Sequence, residues 1–157
     1  MSSSASKSDR GPLLGSLLRL ASQCMTDELT RWIASSGFED LQPAHSAAIQ
    51  PLWGMQEGAR ITTLARAARI TKQSMSALVS DLEKAGYVER VDDPDDARAI
   101  RVRLTPRGRA YGRAVRAFAR SIEAEWAERV GRHRIAELRE TLELLRRTVF
   151  LAEGKAS

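Results

Sequence analysis

Hydrophobic residues recur every three or four positions through long stretches at both ends of the chain, which is the period of an amphipathic α-helix. The pattern predicts a first long helix over residues 11–35, ended by Gly37, because glycine readily adopts the left-handed conformation that follows many helices. Two more long helices are predicted over residues 105–130 and 135–151. The first of these begins Thr-Pro, an N-cap residue followed by the residue best suited to a first helical turn.

Shorter helical patterns fill the middle of the chain, over residues 43–52, 61–69 and 72–85. A break of a few residues separates the last two, and two helices joined by such a tight turn form a helix-turn-helix. Each helix has polar residues before or near its start that suit an N-cap. The candidate caps are Asp40 or Gln42 for the first helix, Thr62 or Thr63 for the second and Thr71 for the third.

Two strands are predicted next, because apolar and polar residues alternate over residues 87–91 and 100–104. The alternation places Ile100, Val102 and Leu104 toward the core. Residues 92–98 are rich in Asp and contain a proline, which is typical of a turn or loop. The strands and this loop form a β-hairpin, and a hairpin directly after a helix-turn-helix is called a wing.

The elements predict a mainly α fold with a small β-hairpin wing (α+β). A winged helix-turn-helix domain spans residues 41–104, and helical regions at 11–40 and 105–152 flank it. The Ser-rich segment 1–10 is expected to be a disordered tail. The apolar stripes of the terminal helices are too long for a small wing domain to cover, and apolar burial favours a partner. We therefore expect a homodimer, in which the flanking helices pack against a second copy.

Positive charge is concentrated in the middle of the chain. Residues 60–120 carry a net charge of +7, whereas the preceding segment carries −2 and the following one 0, within a total of +5. A confined basic region is typical of a nucleic-acid binder, although a solvated charged surface would look the same. The only cysteine is Cys24, which fits a reducing, cytoplasmic setting.

Other function classes find little support in the sequence. The chain has two histidines, His45 and His133, and neither belongs to a metal-binding or phosphate-binding motif. We therefore expect no metal, no cofactor and no enzymatic activity. No apolar stretch is long enough to suggest a membrane span or a signal peptide.

Three segments of the predicted wing carry a resemblance to a known family. Residues 86–90, 93–98 and 102–108 (GYVER, DPDDAR and VRLTPRG) resemble the wing pattern of the MarR family of bacterial regulators, and residues 64–83 resemble its helix-turn-helix. The order of elements also matches, and the resemblance covers about residues 13–151. It implies a sequence-specific transcriptional regulator, most simply a repressor, that binds double-stranded DNA as a homodimer.

The second helix of the helix-turn-helix is the expected reader of DNA bases, since its N-terminal residues enter the major groove in such proteins. Its polar side chains at and after the N-terminus are the candidates for base or phosphate contact. They are Lys72, Gln73, Ser74, Ser76 and Ser80. All of them lie opposite or beside the apolar face of this helix.

Arg98 is expected at the tip of the wing, where an arginine on a thin loop suits the narrow and strongly negative minor groove. Asp96 is expected to hold Arg98 and the turn backbone in place, and the two residues match the family's acidic–x–Arg wing motif. Further arginines near the reader are candidates for phosphate contact. They are Arg66, Arg69, Arg101 and Arg103.

The resemblance also implies that a small aromatic ligand binds between the dimer helices and the reader. Candidate residues for such a pocket are Met25, Trp32, His45, Trp53 and Met55, which could equally be ordinary core residues. Cys24 is expected to be a small buried hydrophobe, with a thiol-based redox sensor as the alternative. A second alternative is a winged-helix module that binds proteins and has lost DNA binding; the basic Lys72 and Arg98 argue against it.

Overall fold

A computed structural model describes residues 11–150, with side chains described through Thr148. The predicted tail at 1–10, the last residue of the final predicted helix (151) and the end of the predicted helical region (152) lie outside the described residues. The described chain falls into two compact units that divide between Gly112 and Arg113. The elements are α1 (Leu14–Ile33), a 3₁₀ turn (Pro43–His45), α2 (Ser46–Leu52), α3 (Ile61–Ala68), α4 (Lys72–Lys84), β1 (Val88–Asp93), β2 (Asp96–Leu104), α5 (Pro106–Val130), α6 (Arg132–Leu145) and a π-helical turn (Arg146–Phe150).

Every predicted helix and strand is present, and the differences lie at the ends. The helix predicted over 43–52 is a 3₁₀ turn that continues into α2, and the last helix begins at Arg132, three residues earlier than expected. Gly37 has a positive φ of 83°, as predicted for the residue that follows the first helix. The mainly α fold with a two-stranded hairpin is therefore confirmed.

Two of the predicted N-caps are confirmed by hydrogen bonds. The hydroxyl of Thr71 accepts from the backbone N–H of Ser74 at 3.0 Å, and that of Thr105 accepts from Gly108 at 3.1 Å. Each bond satisfies a backbone donor that has no partner within the helix.

Of the other predicted caps, Gln42 is confirmed as the N-cap residue of the 3₁₀ turn, whereas Asp40, Thr62 and Thr63 are wrong. Arg60 is the N-cap residue of α3, so Thr62 and Thr63 lie inside the helix rather than before it. Before the 3₁₀ turn, the backbone N–H of Gln42 donates to Nδ1 of His45 at 3.0 Å. Asp40 instead accepts a hydrogen bond from the hydroxyl of Tyr87 at 2.7 Å.

The core of the first unit forms where α2, α3, α4 and the hairpin come together. Its fully buried side chains include Ile49, Leu52, Leu64, Met75, Val79, Leu82, Val88 and Val102. Aromatic rings extend this core: Phe38 meets Tyr111 edge to face at 5.2 Å between centroids, and Tyr87 meets Tyr111 at 5.9 Å. Such contacts add to the free energy gained from apolar burial. The buried side chains and the aromatic rings together stabilise the helix-turn-helix.

The wing is an antiparallel hairpin in which Val88 pairs with Leu104 and Asp93 with Asp96. The strands are longer than predicted: residues 92–98 are not an open loop, because only Pro94 and Asp95 form the turn between them. The register shifts between Asp92 and Asp93, so that three residues of β2 bulge out near the tip. Ile100, predicted to face the core, is 44% exposed, since it lies beyond the part of the hairpin that packs on the helices.

A short segment before α3 extends the hairpin into a small third strand. Ala59 and Val102 exchange backbone hydrogen bonds of 2.9 and 2.8 Å. Gly58 precedes this bridge with φ +78°, and a Cβ on it would lie 2.5 Å from the carbonyl oxygen of Val102. Glycine is required here both by its backbone angle and by the space available. The wing is thereby attached to the start of the helix-turn-helix.

Apolar side chains of the long helices remain exposed in the single chain. On and before α1 these are Leu13, Leu14, Leu17, Leu18 and Leu20, and in the second unit Leu138, Leu142 and Leu144 of α6. Cys24, expected to be buried, is exposed, because the chain does not itself cover the stripe of α1 to which it belongs. Among the described residues, no helix has the length and hydropathy needed to cross a bilayer.

Candidate nucleic-acid interface

The first two turns of α4 present a polar surface on the side opposite its buried residues. Lys72, Gln73 and Ser74 are exposed, and Ser76 and Ser80 are half-buried. Met75, Val79 and Leu82 are buried on the other side of the helix. Burial of that apolar face fixes the rotation of α4, so the predicted reading residues are held outward by the core.

The N-terminus of α4 is held by its cap. Besides accepting from the backbone N–H of Ser74, Thr71 Oγ1 lies 2.8 Å from the hydroxyl of Ser74, and either hydroxyl can donate. The Ser74 side chain is therefore engaged in the free protein. Lys72 and Gln73 are the residues of the first turn that project most freely toward a ligand.

The turn between α3 and α4 contains a backbone conformation that is unusual for a residue other than glycine. Arg69 has φ 55° and ψ 40°, in the left-handed region. Holding a side chain there costs on the order of 1–2 kcal/mol. The backbone N–H of Ile70 donates to the carbonyl oxygen of Ala65 at 3.0 Å and closes the turn. The side chains of Arg66 and Arg69 are exposed beside α4.

Arg98 is exposed in the bulged part of β2, next to the tip of the wing. Its backbone N–H donates to Oδ1 of Asp96 at 3.1 Å. Asp96 thus makes the backbone contact that was predicted for it, two residues before Arg98. The wing carries its arginine on a strand braced by this bond rather than on a free loop.

A group of ion pairs at the base of the wing tip was not foreseen from the sequence. The carboxylate of Asp93 is wholly buried between two arginines: Arg60 Nε lies 2.6 Å from one oxygen and Arg101 Nη2 2.9 Å from the other. The backbone N–H of Asp95 donates to the same carboxylate. Burial raises the pKa of Asp93, but these hydrogen bonds outweigh it and hold the pKa at about 2.

Two of the arginines proposed for phosphate contact already have carboxylate partners. Arg101 Nη2 lies 2.7 Å from Oδ2 of Asp95 in addition to its bond with Asp93, and Arg103 Nε lies 2.7 Å from Oε1 of Glu89. Arg103 is exposed, and Arg101 is more enclosed. A phosphate would have to compete with these partners, which makes Arg103 the easier of the two to recruit.

The residues predicted for a ligand pocket lie in different surroundings. Trp32 packs at 6.4 Å from Tyr111 within the aromatic cluster. His45 is buried, which lowers its pKa against the opposing effect of the nearby carboxylates of Asp81 and Asp40. Met55 is exposed and lines a shallow groove with Ala47, Gln50, Pro51, Ala67 and Ala68. Met25 and Trp53 are half-buried.

A helix-turn-helix with a polar first turn, followed by a hairpin that carries an exposed arginine, defines a winged helix-turn-helix protein of the DNA-binding class. The comparisons with known proteins agree with this class. A sequence profile of the MarR family matches residues 54–99. The transcriptional repressor Rv2887 of Mycobacterium tuberculosis is 31% identical over 117 residues, which cover 67% of this chain and 84% of that repressor. The chain belongs to the MarR family of transcriptional regulators.

Solved structures of the family have the same fold. The crystal structure of M. tuberculosis Rv2887 in complex with salicylic acid superposes with a TM-score of 0.65 at 28% identity, covering 88% of this chain and 98% of Rv2887. A probable transcriptional regulator from Pseudomonas aeruginosa superposes with a TM-score of 0.68, also at 28% identity and with the same coverage. The family and the fold that the wing pattern implied are both confirmed.

Proposed function

We propose that this chain is a homodimeric transcriptional repressor. It contacts the base edges of duplex DNA with the first turns of α4 and the minor groove with Arg98 of the wing. The observation that carries the proposal is the exposed polar start of α4, held outward by the burial of Met75 and Val79. A regulator of this kind acts on the chromosome, so we place it in the cytoplasm. We assign it no enzymatic role.

Each side chain at the start of α4 has a chemistry suited to a base edge. Gln73 carries an amide that can donate to and accept from adenine at once, and Lys72 can donate to guanine or to a phosphate. Ser76 and Ser80, one and two turns further along, suit shorter contacts. Arg98 suits the minor groove, and Arg66, Arg69 and Arg103 suit the flanking phosphates.

A homodimer would present two copies of α4 to the DNA. The exposed leucines of α1 and α6 provide apolar surface for a second copy. Two copies related by a twofold axis would contact half-sites about one helical turn apart. A dimer bound to a promoter in this way would block transcription.

A small aromatic acid is the ligand class that we propose for release from DNA. The support is the salicylic acid bound to Rv2887, a relative at 28% identity. Among the candidates for a binding site, the ring of Trp32 and the imidazole of His45 suit an aromatic carboxylate best. Thiol-based sensing by Cys24 is not part of the proposal, since exposure alone does not make a cysteine a redox sensor.

The test compares two lysines on the same helix. Lys72→Ala and Lys84→Ala remove the same charge from opposite ends of α4, and both side chains are exposed. Binding to a labelled duplex from the region upstream of the protein's own coding sequence is measured by fluorescence anisotropy. We expect Lys72→Ala to weaken binding about five- to a hundredfold, since a base-edge contact is worth roughly 1–3 kcal/mol.

Lys84→Ala is the control and should stay within about twofold, as is usual for exposed surface substitutions. Equal affinities of the two variants would contradict the reading role of α4. Should the unchanged protein fail to bind any genomic duplex even at low salt, the protein-interaction alternative would replace the proposal. Addition of salicylate to the same assay tests the ligand class.

A further inference from the structure

Arg60 connects the helix-turn-helix to the tip of the wing through two carboxylates. Its Nε donates to Oδ2 of Asp93 at 2.6 Å, and its Nη2 donates to Oδ2 of Asp96 at 3.3 Å. The two contacts span 33 and 36 positions of sequence. Arg60 is also the N-cap residue of α3, so its backbone is fixed to the helix-turn-helix while its guanidinium holds the wing.

Asp96 links Arg60 to the backbone of Arg98. One of its carboxylate oxygens accepts from Arg60, and the other accepts from the backbone N–H of Arg98 at 3.1 Å. The same segment of β2 is bulged out of the strand register, so regular sheet pairing does not determine where Arg98 lies. The bond from Asp96 is therefore a principal restraint on that part of the backbone, and Arg60 restrains Asp96.

We infer that Arg60 is a positioning residue for DNA recognition: through Asp96 it holds Arg98 at a fixed place relative to the helix-turn-helix. This inference rests on the proposed DNA-binding function. An arginine is suited to the task because its planar fork can bind two carboxylates at once, whereas a lysine offers a single ammonium. The buried carboxylate of Asp93 holds the guanidinium of Arg60 in place.

The structure contains a matched control. Arg90 of β1 forms an ion pair with Glu83 of α4, with Nε 2.9 Å from Oε2. This pair also joins the wing to the helix-turn-helix, but it involves neither Asp96 nor Arg98. Arg60 and Arg90 therefore agree in charge and in joining the wing to the helix-turn-helix, but they differ in their connection to Arg98 and in the burial of the partner, since Asp93 is buried and Glu83 is half-exposed.

The experiment is a double-mutant cycle between Arg60→Ala and Arg98→Ala, read as affinity for the same labelled duplex at several salt concentrations. We expect each single variant to bind about tenfold more weakly, and the double variant to bind no more weakly than Arg98→Ala alone, which is the mark of coupled side chains. The salt dependence of Arg60→Ala should match that of Arg98→Ala. Arg90→Ala should bind like the unchanged protein.

Other outcomes overturn the inference in distinct ways. If Arg60 contacts a phosphate directly, Arg60→Ala will lower the salt slope by about one further unit in the Arg98→Ala background. If Arg60 has a general structural role, Arg60→Ala will weaken binding in proportion to its loss of melting temperature and by the same factor in the Arg98→Ala background. Failure of the unchanged protein to bind DNA would instead contradict the proposed function itself.

Arg60→Lys guards against a variant that does not fold. A lysine can keep the ion pair with Asp93 and with it the fold, but it lacks the second arm toward Asp96. We expect a melting temperature near that of the unchanged protein together with weakened binding. Full affinity of Arg60→Lys would show that the link to Asp96 is not needed.

Discussion

His45 places a titratable ring beside α4. It is buried in the 3₁₀ turn before α2, its Nδ1 accepts from the backbone of Gln42, and the carboxylate of Asp81 on α4 lies near enough to oppose the effect of burial on its pKa. Because an acceptor nitrogen cannot keep its hydrogen bond once protonated, the neutral form belongs to the folded structure.

Acid should destabilise the protein through this residue. The pKa of His45 lies below its ordinary value of 6.5 in the folded state, so the unfolded chain binds the proton more readily. The stability that His45 contributes is therefore fully present above pH 6.5 and is lost as the pH falls below that value. We expect the melting temperature of the unchanged protein to fall between pH 7.5 and 5, and that of His45→Gln to fall less.

The second histidine provides the control for that measurement. His133 is exposed on α6 beside Glu137, and His133→Gln should leave in place the loss of stability in acid that His45 causes. Parallel profiles of His45→Gln and the unchanged protein would refute the role given to His45.

At the scale of elements, the wing is held to the helix-turn-helix by backbone contacts as well as by ion pairs. The bridge between Ala59 and Val102 adds a third strand of one residue, and Gly58 allows the chain to reach it. Ala59, which forms the bridge, and Arg60, which forms the ion pairs, are adjacent in the sequence. The segment before α3 therefore determines where the wing lies.

Gly58→Ala tests the importance of this bridge. The added Cβ would meet the backbone of β2, and alanine is strained at a positive φ, so we expect a loss of about 2–4 kcal/mol in the free energy of unfolding. Gly54→Ala is the control, since nothing lies within 4 Å of a Cβ at that position, and it should change stability by less than about 1 kcal/mol. Urea denaturation followed by circular dichroism measures both, and similar midpoints would contradict this account.

The same scale shows what the sequence could predict. The periodicity located every α-helix and both strands of the hairpin, and the caps Thr71 and Thr105 followed from local chemistry that acts within three residues. The Arg60–Asp93 pair could not be predicted, because charges 33 positions apart meet only through the tertiary fold. Ile100 was misplaced because alternation identifies the face of a strand but not where along the strand the core ends.

At the scale of the whole molecule, the described chain has apolar surface that it does not itself bury. Leu13 is 79% exposed and Leu14 63% exposed at the start of α1. Cys24 lies on the same helix, which explains why a residue predicted to be buried is accessible in one copy. A second copy packed on this surface would remove the exposed leucines and Cys24 from water.

Leu17→Glu should weaken self-association. In a twofold interface each substitution occurs twice, and burial of one leucine is worth roughly 1.5–3 kcal/mol, so we expect the dimer dissociation constant to rise at least about tenfold. Sedimentation equilibrium measures it. Thr26→Glu adds the same charge at an exposed position on the opposite side of α1, nine residues after Leu17, and is the control. Should Leu17→Glu dimerise as well as the control, the homodimer would need a different surface.

The bridge at Ala59 has a further consequence, for colloidal behaviour. A free two-stranded ribbon has two open edges, each able to recruit a strand from another molecule. Here Ala59 occupies part of the outer edge of β2, while the outer strand, β1, carries the alternating charges Glu89, Arg90 and Asp92. Charged side chains on an edge discourage such pairing. The wing can thus extend into solvent with Ile100 uncovered, and concentrated protein should resist sheet-driven aggregation.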